Sequence, residues 1–207
     1  EACRHIPNFQ HLVFASSSSV YGGNTKLPFG IEDPVDSPQS LYAATKKADE
    51  LMGYCYSHLY RLPMTGMRFF TVYGPLGRPY MAYFIFADKI ARGEEIIVRT
   101  HQPAVKRDFT YIDDIVEGIT RLVPKIPTAN PAWSGVTPDS ATSFAPYRLY
   151  NIGNNKPVEL LRFIEVIEEK LGKKAEKKLR ELHSYKMPVI TITKVKTDKN
   201  VEKWVNE

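Results

Sequence analysis

The chain has 207 residues, a net charge of +5 and 43% hydrophobic residues, a composition typical of a globular protein with a sizeable core. No arginine stripe with interleaved aromatics indicates nucleic-acid binding, and the cysteines and histidines have no metal-site or disulfide spacing, so we expect neither nucleic acid nor metal. No apolar run is long enough to span a bilayer and no signal peptide is visible, so we expect a cytoplasmic protein without a membrane partner.

The first half of the chain predicts a strand, a loop, a long helix and a second strand. A strand is predicted at 11–17, and its continuous apolar run, Leu12 to Ala15, is typical of a parallel strand that is covered on both faces. Glycines and prolines make 22–40 a loop, and Ser40 is a suitable N-cap for a helix over 41–60. The next strand is predicted at 64–71. The helix has an apolar face formed by Leu51, Met52, Cys55 and Leu59.

The second half continues the alternation of helices and strands. A loop is predicted at 72–79 and an irregular insertion at 124–146. Strands are predicted at 95–99, 106–112 and 147–153, with a β-like segment at 189–195. Helices are predicted at 80–92, stopped by Gly93, at 114–123, capped by Asp113, and at 157–172, with Pro157 in its first turn and Gly172 at its end. This alternation predicts an α/β fold with a mostly parallel sheet.

Candidate catalytic groups lie at the end of the first strand and on the first helix. Four serines, 16–19, follow the apolar run, and ligands of open α/β sheets bind beyond the carboxyl ends of the strands. Tyr42 and Lys46 are four residues apart, so they share one helix face. An ammonium beside a phenol favours the phenolate, which is a base suited to taking a proton from a sugar alcohol. Either feature alone is common: a Tyr–Lys pair on any helix, or a serine-rich loop.

The combination is more specific. S-S-S-S-V-Y-G, followed after a short loop by Y-x-x-x-K, resembles the extended short-chain dehydrogenase/reductase family, and within it the nucleotide-sugar epimerases that act on UDP-glucuronate. The resemblance implies the C-terminal portion of a Rossmann-type parallel sheet plus a small α/β substrate-binding lobe. It places the end of the dinucleotide-binding domain, with the catalytic motif, at 1–75 and the lobe at 76–207, with 106–153 partly returning to the main sheet. The glycine-rich dinucleotide turn is absent, so we expect a C-terminal fragment.

The resemblance also implies roles for the catalytic residues and an NAD cofactor. Tyr42 would be the base in an epimerisation that passes through a 4-keto sugar, and Lys46 would assist it and bind the nicotinamide ribose. Ser17 and Ser19 would hold the reacting hydroxyl, with Ser17 favoured. Phe70 would pack near the nicotinamide, or serve as a core aromatic, or both.

Substrate contacts follow from the same resemblance. Thr71 and Arg78 match the pair that contacts a sugar carboxylate in the uronate-specific enzymes, and a guanidinium fits a carboxylate bidentately. Arg107 matches the arginine that holds the substrate diphosphate. From the residues alone, Arg78 could instead pair with an acid such as Glu32. Arg107 could likewise pair with a neighbouring aspartate, Asp108 or Asp113.

The expected activity is epimerisation of UDP-glucuronate to UDP-galacturonate. Related dehydratases have an Asp-Glu pair before the Val-Tyr-Gly, whereas here both positions are serine, which cannot supply that acid–base chemistry. Alternatives are a UDP-glucose 4-epimerase, a nucleotide-sugar dehydratase, or a non-catalytic remnant of the fold. The resemblance weakens after Lys178. It also implies a UDP-sugar substrate and a homodimer through the Tyr42 helix.

Overall fold

The computed structural model describes residues 1–100, 106–175 and 177–181, and these contain eight strands and four α-helices. The strands are β1 (Leu12–Ser17), β2 (Met64–Phe69), β3 (Thr71–Tyr73), β4 (Ile96–Thr100), β5 (Lys106–Tyr111), β6 (Tyr147–Ile152), β7 (Pro157–Glu159) and β8 (Lys177–Glu181). The helices are α1 (Leu41–Tyr60), α2 (Ala82–Arg92), α3 (Ile112–Leu122) and α4 (Leu160–Leu171). Short 3₁₀ helices cover Ala2–His5 and Ser18–Tyr21.

The first sheet is parallel, with strand order β1-β2-β6. Its apolar core lies on β2, β6 and the segment before β2, and it is built from Leu62, Met64, Tyr147 and Leu149. At the carboxyl edge Ser17 pairs with Phe69, and Phe69 pairs with Ile152. The serine cluster therefore lies at the edge where the sequence predicts the functional groups.

Helix α1 packs on this sheet and has the predicted bounds. The Ser40 hydroxyl accepts a hydrogen bond from the Ala43 amide at 3.1 Å, which confirms the predicted N-cap. The side of the helix toward the sheet has small and polar residues, and at Gly53 an added Cβ would lie 3.1 Å from the Phe14 ring. The helix approaches the sheet closely because that position has no side chain. Its buried residues are Ala43, Glu50, Gly53 and Ser57.

The apolar face predicted for α1 lies on the solvent side. Leu51, Met52 and Leu59 are 55%, 55% and 63% exposed, and Cys55 is exposed as well. Within the described chain these side chains are therefore not part of the core.

A second group of elements surrounds its own core. Strands β3 and β5 pair in parallel, β7 joins β5 antiparallel, and β4 pairs in parallel with β8. Helices α2 and α4 end as predicted at Gly93 and Gly172, both with positive φ. The core of this group comprises Phe86, Ile90, Ile96, Val98 and Ile164.

Four local predictions are wrong. The strand expected at 64–71 breaks at Phe70, and residues 71–73 leave the first sheet to pair with β5, although 72–73 were predicted as loop. Helix α3 follows Tyr111 without a side-chain cap, so Asp113 is not the cap but lies in the first turn, where a carboxylate favours the helix dipole. Pro157 belongs to β7, and α4 begins at Leu160.

Other features follow the sequence or lie outside the described part. The insertion 124–146 contains no helix or strand, apart from an isolated bridge between Thr142 and Arg148. The β-like segment predicted at 189–195 lies outside the described residues. Among the helices that the structure describes, none combines the length and the apolar character needed to cross a membrane.

Candidate active site

Two serine hydroxyls form a pair at the end of β1. The Ser17 hydroxyl donates to the Ser19 hydroxyl at 3.0 Å and accepts a hydrogen bond from the Ser19 amide at 3.2 Å. The amide contact caps the 3₁₀ turn Ser18–Tyr21, which directly follows the strand. The turn thus brings the two predicted serines together at the carboxyl edge of the sheet.

Lys46 is held against the same strand. Its ammonium donates to the Ala15 carbonyl oxygen at 2.9 Å and lies 3.4 Å from the Asp49 carboxylate. Tyr42 is one turn earlier on the same helix face, and its side chain is 53% exposed. Lys46 is therefore anchored two residues before Ser17, whereas the Tyr42 phenol is open to solvent.

Below these groups lies a buried ion pair that the sequence reasoning missed. Arg68 on β2 donates to both oxygens of the Glu50 carboxylate on α1, at 2.8 and 3.0 Å. Glu50 also accepts a hydrogen bond from the Ser16 hydroxyl at 2.6 Å. Burial alone would lower the pKa of Arg68, but Glu50 and Tyr21 outweigh it and raise that pKa. The signal in the sequence is an arginine in the middle of the apolar segment M-T-G-M-R-F-F, because a charge inside a buried strand needs a partner.

Tyr21 extends this pair to the third strand. Its hydroxyl accepts a hydrogen bond from Arg68 at 3.0 Å and donates to the Asn151 side-chain oxygen on β6 at 2.7 Å. The ring stacks on Phe29 with centroids 4.4 Å apart. Burial raises the pKa of the Tyr21 phenol, so it stays protonated and cannot serve as a base near neutral pH.

Phe70 and Thr71 lie where the chain leaves the first sheet. Phe70 packs against the buried cluster of Val20, Tyr21 and Val35, and Thr71 pairs with Phe109 on β5. A Cβ on Gly153 would lie 3.0 Å from the Phe70 ring and 2.6 Å from an Asp108 carboxylate oxygen. The two groups of elements thus meet around the glycine of Y-N-I-G-N-N.

The two arginines predicted to bind substrate are exposed. Arg78 follows β3, and Glu32, its candidate partner, lies 3.8 Å from Lys26 instead. Arg107 on β5 donates to the Lys106 carbonyl oxygen at 3.1 Å. Asp108, a candidate partner of Arg107, accepts hydrogen bonds from the amides of Asn155 and Lys156. No described hydrogen bond links either arginine to the serine pair, so their roles remain predictions.

A metal site has no support in the described part of the chain, where no group of three or more histidine, cysteine, aspartate or glutamate side chains is placed to hold an ion. The chemistry available at the sheet edge is that of two hydroxyls, a phenol and an ammonium. Such groups can hold a sugar hydroxyl and move its proton.

Comparison with known proteins supplies the family. Residues 1–134 match the model of the NAD dependent epimerase/dehydratase family. The chain belongs to this family. This family member is 56% identical over 188 residues to Protein CapI of Staphylococcus aureus. The alignment covers 91% of the chain and 56% of CapI. It is 48% identical over 170 residues to the probable UDP-glucuronate 4-epimerase of Rhizobium meliloti. That alignment covers 80% of the chain and 49% of the relative.

The fold of the chain is similar to that of a relative whose structure has been solved. The crystal structure of UDP-glucuronic acid 4-epimerase from Bacillus cereus in complex with NAD superposes with a TM-score of 0.70 at 28% identity, covering 87% of this chain and 52% of the other. The predicted α/β fold with a portion of a Rossmann-type sheet is thereby confirmed. The chain spans about half the length of the curated relatives it matches.

Proposed function

We propose that this chain carries the catalytic residues of an NAD-dependent nucleotide-sugar 4-epimerase that interconverts UDP-glucuronate and UDP-galacturonate. The observation that carries the proposal is the arrangement at the β1 edge. The Lys46 ammonium is fixed on the Ala15 carbonyl oxygen, next to the Ser17–Ser19 hydroxyl pair, and Tyr42 is exposed one turn away.

The chemistry assigns each of these side chains a task. Bound NAD would accept a hydride from the sugar carbon and return it to the opposite face. Tyr42 takes the proton of the reacting hydroxyl and later gives it back, as a positioned general base and acid. Ser17 and Ser19 hydrogen-bond that hydroxyl and orient it toward Tyr42.

The residues that would hold NAD are compatible with that role. Lys46 can hydrogen-bond the nicotinamide ribose while it stays near β1, since its side chain is 24% exposed. The exposed phenol of Tyr42 is accessible to a bound ring. Phe70 would support the nicotinamide from the junction between the two groups of elements.

The uronate assignment rests on Thr71 and Arg78. Arg78 is exposed and forms no ion pair within the described residues, so its guanidinium is available to a ligand carboxylate. A guanidinium binds a carboxylate bidentately, and the Thr71 hydroxyl adds a directional donor. Arg107, also exposed, would hold the diphosphate. The names of the Rhizobium meliloti and Bacillus cereus relatives support the same substrate.

The exposed face of α1 supports a homodimer. Leu51, Met52 and Leu59, with Cys55, form a row of apolar side chains on one helix, and contiguous exposed apolar patches mark interaction sites. A second copy of the chain could cover this face by packing its own α1 against it.

A cytoplasmic location is also proposed, and it fits the two unpaired cysteines, since a reducing compartment keeps thiols reduced.

A chimera tests the proposed activity. The segment of the Rhizobium meliloti relative that matches this chain is replaced by the chain, and the product is assayed with UDP-glucuronate and with UDP-glucose. We expect UDP-galacturonate to form, with the unmodified relative as the positive control. Preference for UDP-glucose contradicts the uronate assignment, and a dehydrated product contradicts epimerisation. A folded chimera that retains NAD but converts neither sugar contradicts catalysis and identifies a non-catalytic form of the fold.

A further inference from the structure

Helix α1 is attached to β1 by two neighbouring strand residues. The Ala15 carbonyl oxygen accepts from Lys46, and the Ser16 hydroxyl donates to Glu50. Lys46 and Glu50 are four residues apart and therefore lie on one helix face. Ser17, the proposed substrate-binding serine, is the next residue of the strand. The contacts that join helix and strand thus lie directly beside the proposed reacting groups.

Glu50 is in turn fixed by Arg68, which is itself held from several sides. The guanidinium binds both Glu50 oxygens, the Tyr21 hydroxyl at 3.0 Å and the Ile31 carbonyl oxygen at 3.0 Å. The Glu50 and Arg68 side chains are 3% and 0% exposed. Through these contacts one buried ion pair joins α1, β1, β2, the turn after β1 and the loop before α1.

We propose that Glu50 and Arg68 are positioning residues of the reaction, which fix α1 on β1 and so set where Tyr42 and Lys46 stand relative to Ser17. The inference rests on the proposed function. A bidentate contact has a single good geometry, whereas apolar contacts are non-directional and allow a helix to shift along a sheet. The small residues Ala43 and Gly53 on the buried face provide few interlocking side chains to prevent such a shift.

The choice of an ion pair is consistent with positioning rather than stability. Replacing a buried ion pair by well-packed apolar residues is often neutral or stabilising, so this pair is poorly explained as a source of stability alone. An apolar replacement at Glu50 and Arg68 should therefore fold yet leave the helix less well placed. This separation of stability from position makes the inference testable.

The kinetic test uses the chimera described above with three variants. These are Glu50→Gln, the double variant Glu50→Met/Arg68→Met and the control Glu168→Gln. Glu168 is also a buried helix glutamate paired with a cation, Lys177 at 2.9 Å, but it lies on α4. We expect kcat to fall about 100-fold in both Glu50 variants, because displacement by about 1 Å can have that effect. The KM for UDP-glucuronate should change by less than about threefold, and NAD should be retained.

Conservative replacement separates positioning from a general loss of structure. In Glu50→Asp/Arg68→Lys the charges remain but the bidentate geometry is lost, so the low kcat should persist. Glu168→Gln should keep the kcat of the parent even though it removes a charge pair between a buried glutamate and a partly exposed lysine. A folded Glu50→Met/Arg68→Met variant with the parent kcat overturns the proposal.

A second readout does not depend on activity. The full 207-residue chain is labelled with 3-fluorotyrosine, and the ¹⁹F resonance of Tyr42 is assigned with Tyr42→Phe. We expect this resonance to move in the folded double variant and to stay in place in Glu168→Gln. An unmoved Tyr42 resonance in the double variant overturns the positioning role. If the parent chimera has no epimerase activity while the resonance moves as expected, the proposed function fails and the positioning stands.

Discussion

The Arg68 guanidinium meets the Glu50 carboxylate at 2.8 and 3.0 Å, and neither side chain is more than 3% exposed. Removing one partner leaves the other as an uncompensated buried charge. We expect Glu50→Ala to lower the free energy of unfolding by about 3–5 kcal/mol, measured by urea denaturation. Glu165→Ala, which breaks a solvent-exposed contact with Arg162, is the control and should have little effect. Equal losses in the two variants would contradict the importance of burial.

The loss of stability at acidic pH should depend in part on the Glu168 carboxyl. The Ala175 amide and the Lys177 ammonium lower the pKa of this carboxyl in the folded state. A lowered folded pKa stabilises the protein above the unfolded pKa, and this contribution is lost as pH falls through the folded pKa. We expect Glu168→Gln to lower the thermal midpoint at neutral pH and to flatten its decline below about pH 4. A decline parallel to that of the parent would show that Glu168 contributes nothing to it.

Both the backbone conformation at position 22 and the lack of space for a side chain there require glycine. Its φ is +50° with ψ −115°, a region that side chains rarely adopt, and a Cβ would lie 2.0 Å from the Ser37 carbonyl oxygen. Gly172 has φ +64° but open space around it. We expect Gly172→Ala to cost about 1 kcal/mol from backbone strain, and Gly22→Ala to cost at least about 1 kcal/mol more because of the collision. Equal losses on urea denaturation would exclude the steric contribution at Gly22.

Tyr42→Phe tests the proposed base. The change removes the hydroxyl and keeps the ring, so in the chimera we expect epimerisation to fall by at least about 100-fold while NAD remains bound. Tyr60→Phe is the matched control, because Tyr60 is a partly exposed tyrosine on the same helix. UDP-galacturonate formation is followed with bound NAD measured in parallel. Full activity of Tyr42→Phe would remove the base from the mechanism.

The apolar row on α1 predicts the oligomeric state. We expect the chain to form a dimer whose population rises with concentration, and Leu51→Glu/Leu59→Glu to lose this dimer, because a charge on this face opposes burial. Val116→Glu is the control, since Val116 is 52% exposed on α3, away from this face. Light scattering after size exclusion distinguishes the species. A dimer that survives the double substitution must use another surface.

Local signals in the sequence were sufficient for several elements. Ser40, the apolar run before the serines and the glycines at 93 and 172 define their elements through neighbouring residues, and these predictions agree with the structure. The break at Phe70 is not visible in the sequence because R-F-F-T continues the strand pattern without a turn residue, and the glycine and prolines that follow make 72–73 look like loop. Which sheet each half joins depends on β5, which lies far along the chain. Pro157 fits the first turn of a helix equally well, so only the pairing with β5 identifies β7.

In the candidate site, too, the residues of a local motif can be predicted from the sequence, whereas those that depend on distant contacts cannot. Tyr42, Lys46 and the serines form a motif of short spacing that the sequence displays directly. Glu50 looks like an ordinary helix charge in A-D-E-L, and its burial depends on Arg68 and Ser16, which approach only in the folded chain. Arg68 was visible as a charge within an apolar strand, but no sequence rule indicated its partner among the many acids.

The two borders of the first sheet are unequally protected. On the β6 side the Leu149 amide donates to the Ala141 carbonyl oxygen, and Thr142 bridges to Arg148, so the insertion shields that border. On the β1 side no described strand pairs with the outer edge of β1, although the Lys46 ammonium donates a hydrogen bond to the Ala15 carbonyl oxygen. A strand edge that no described strand covers is a template for further extended segments. We therefore expect that, at high concentration, an extended segment of another copy would add at β1 rather than at β6.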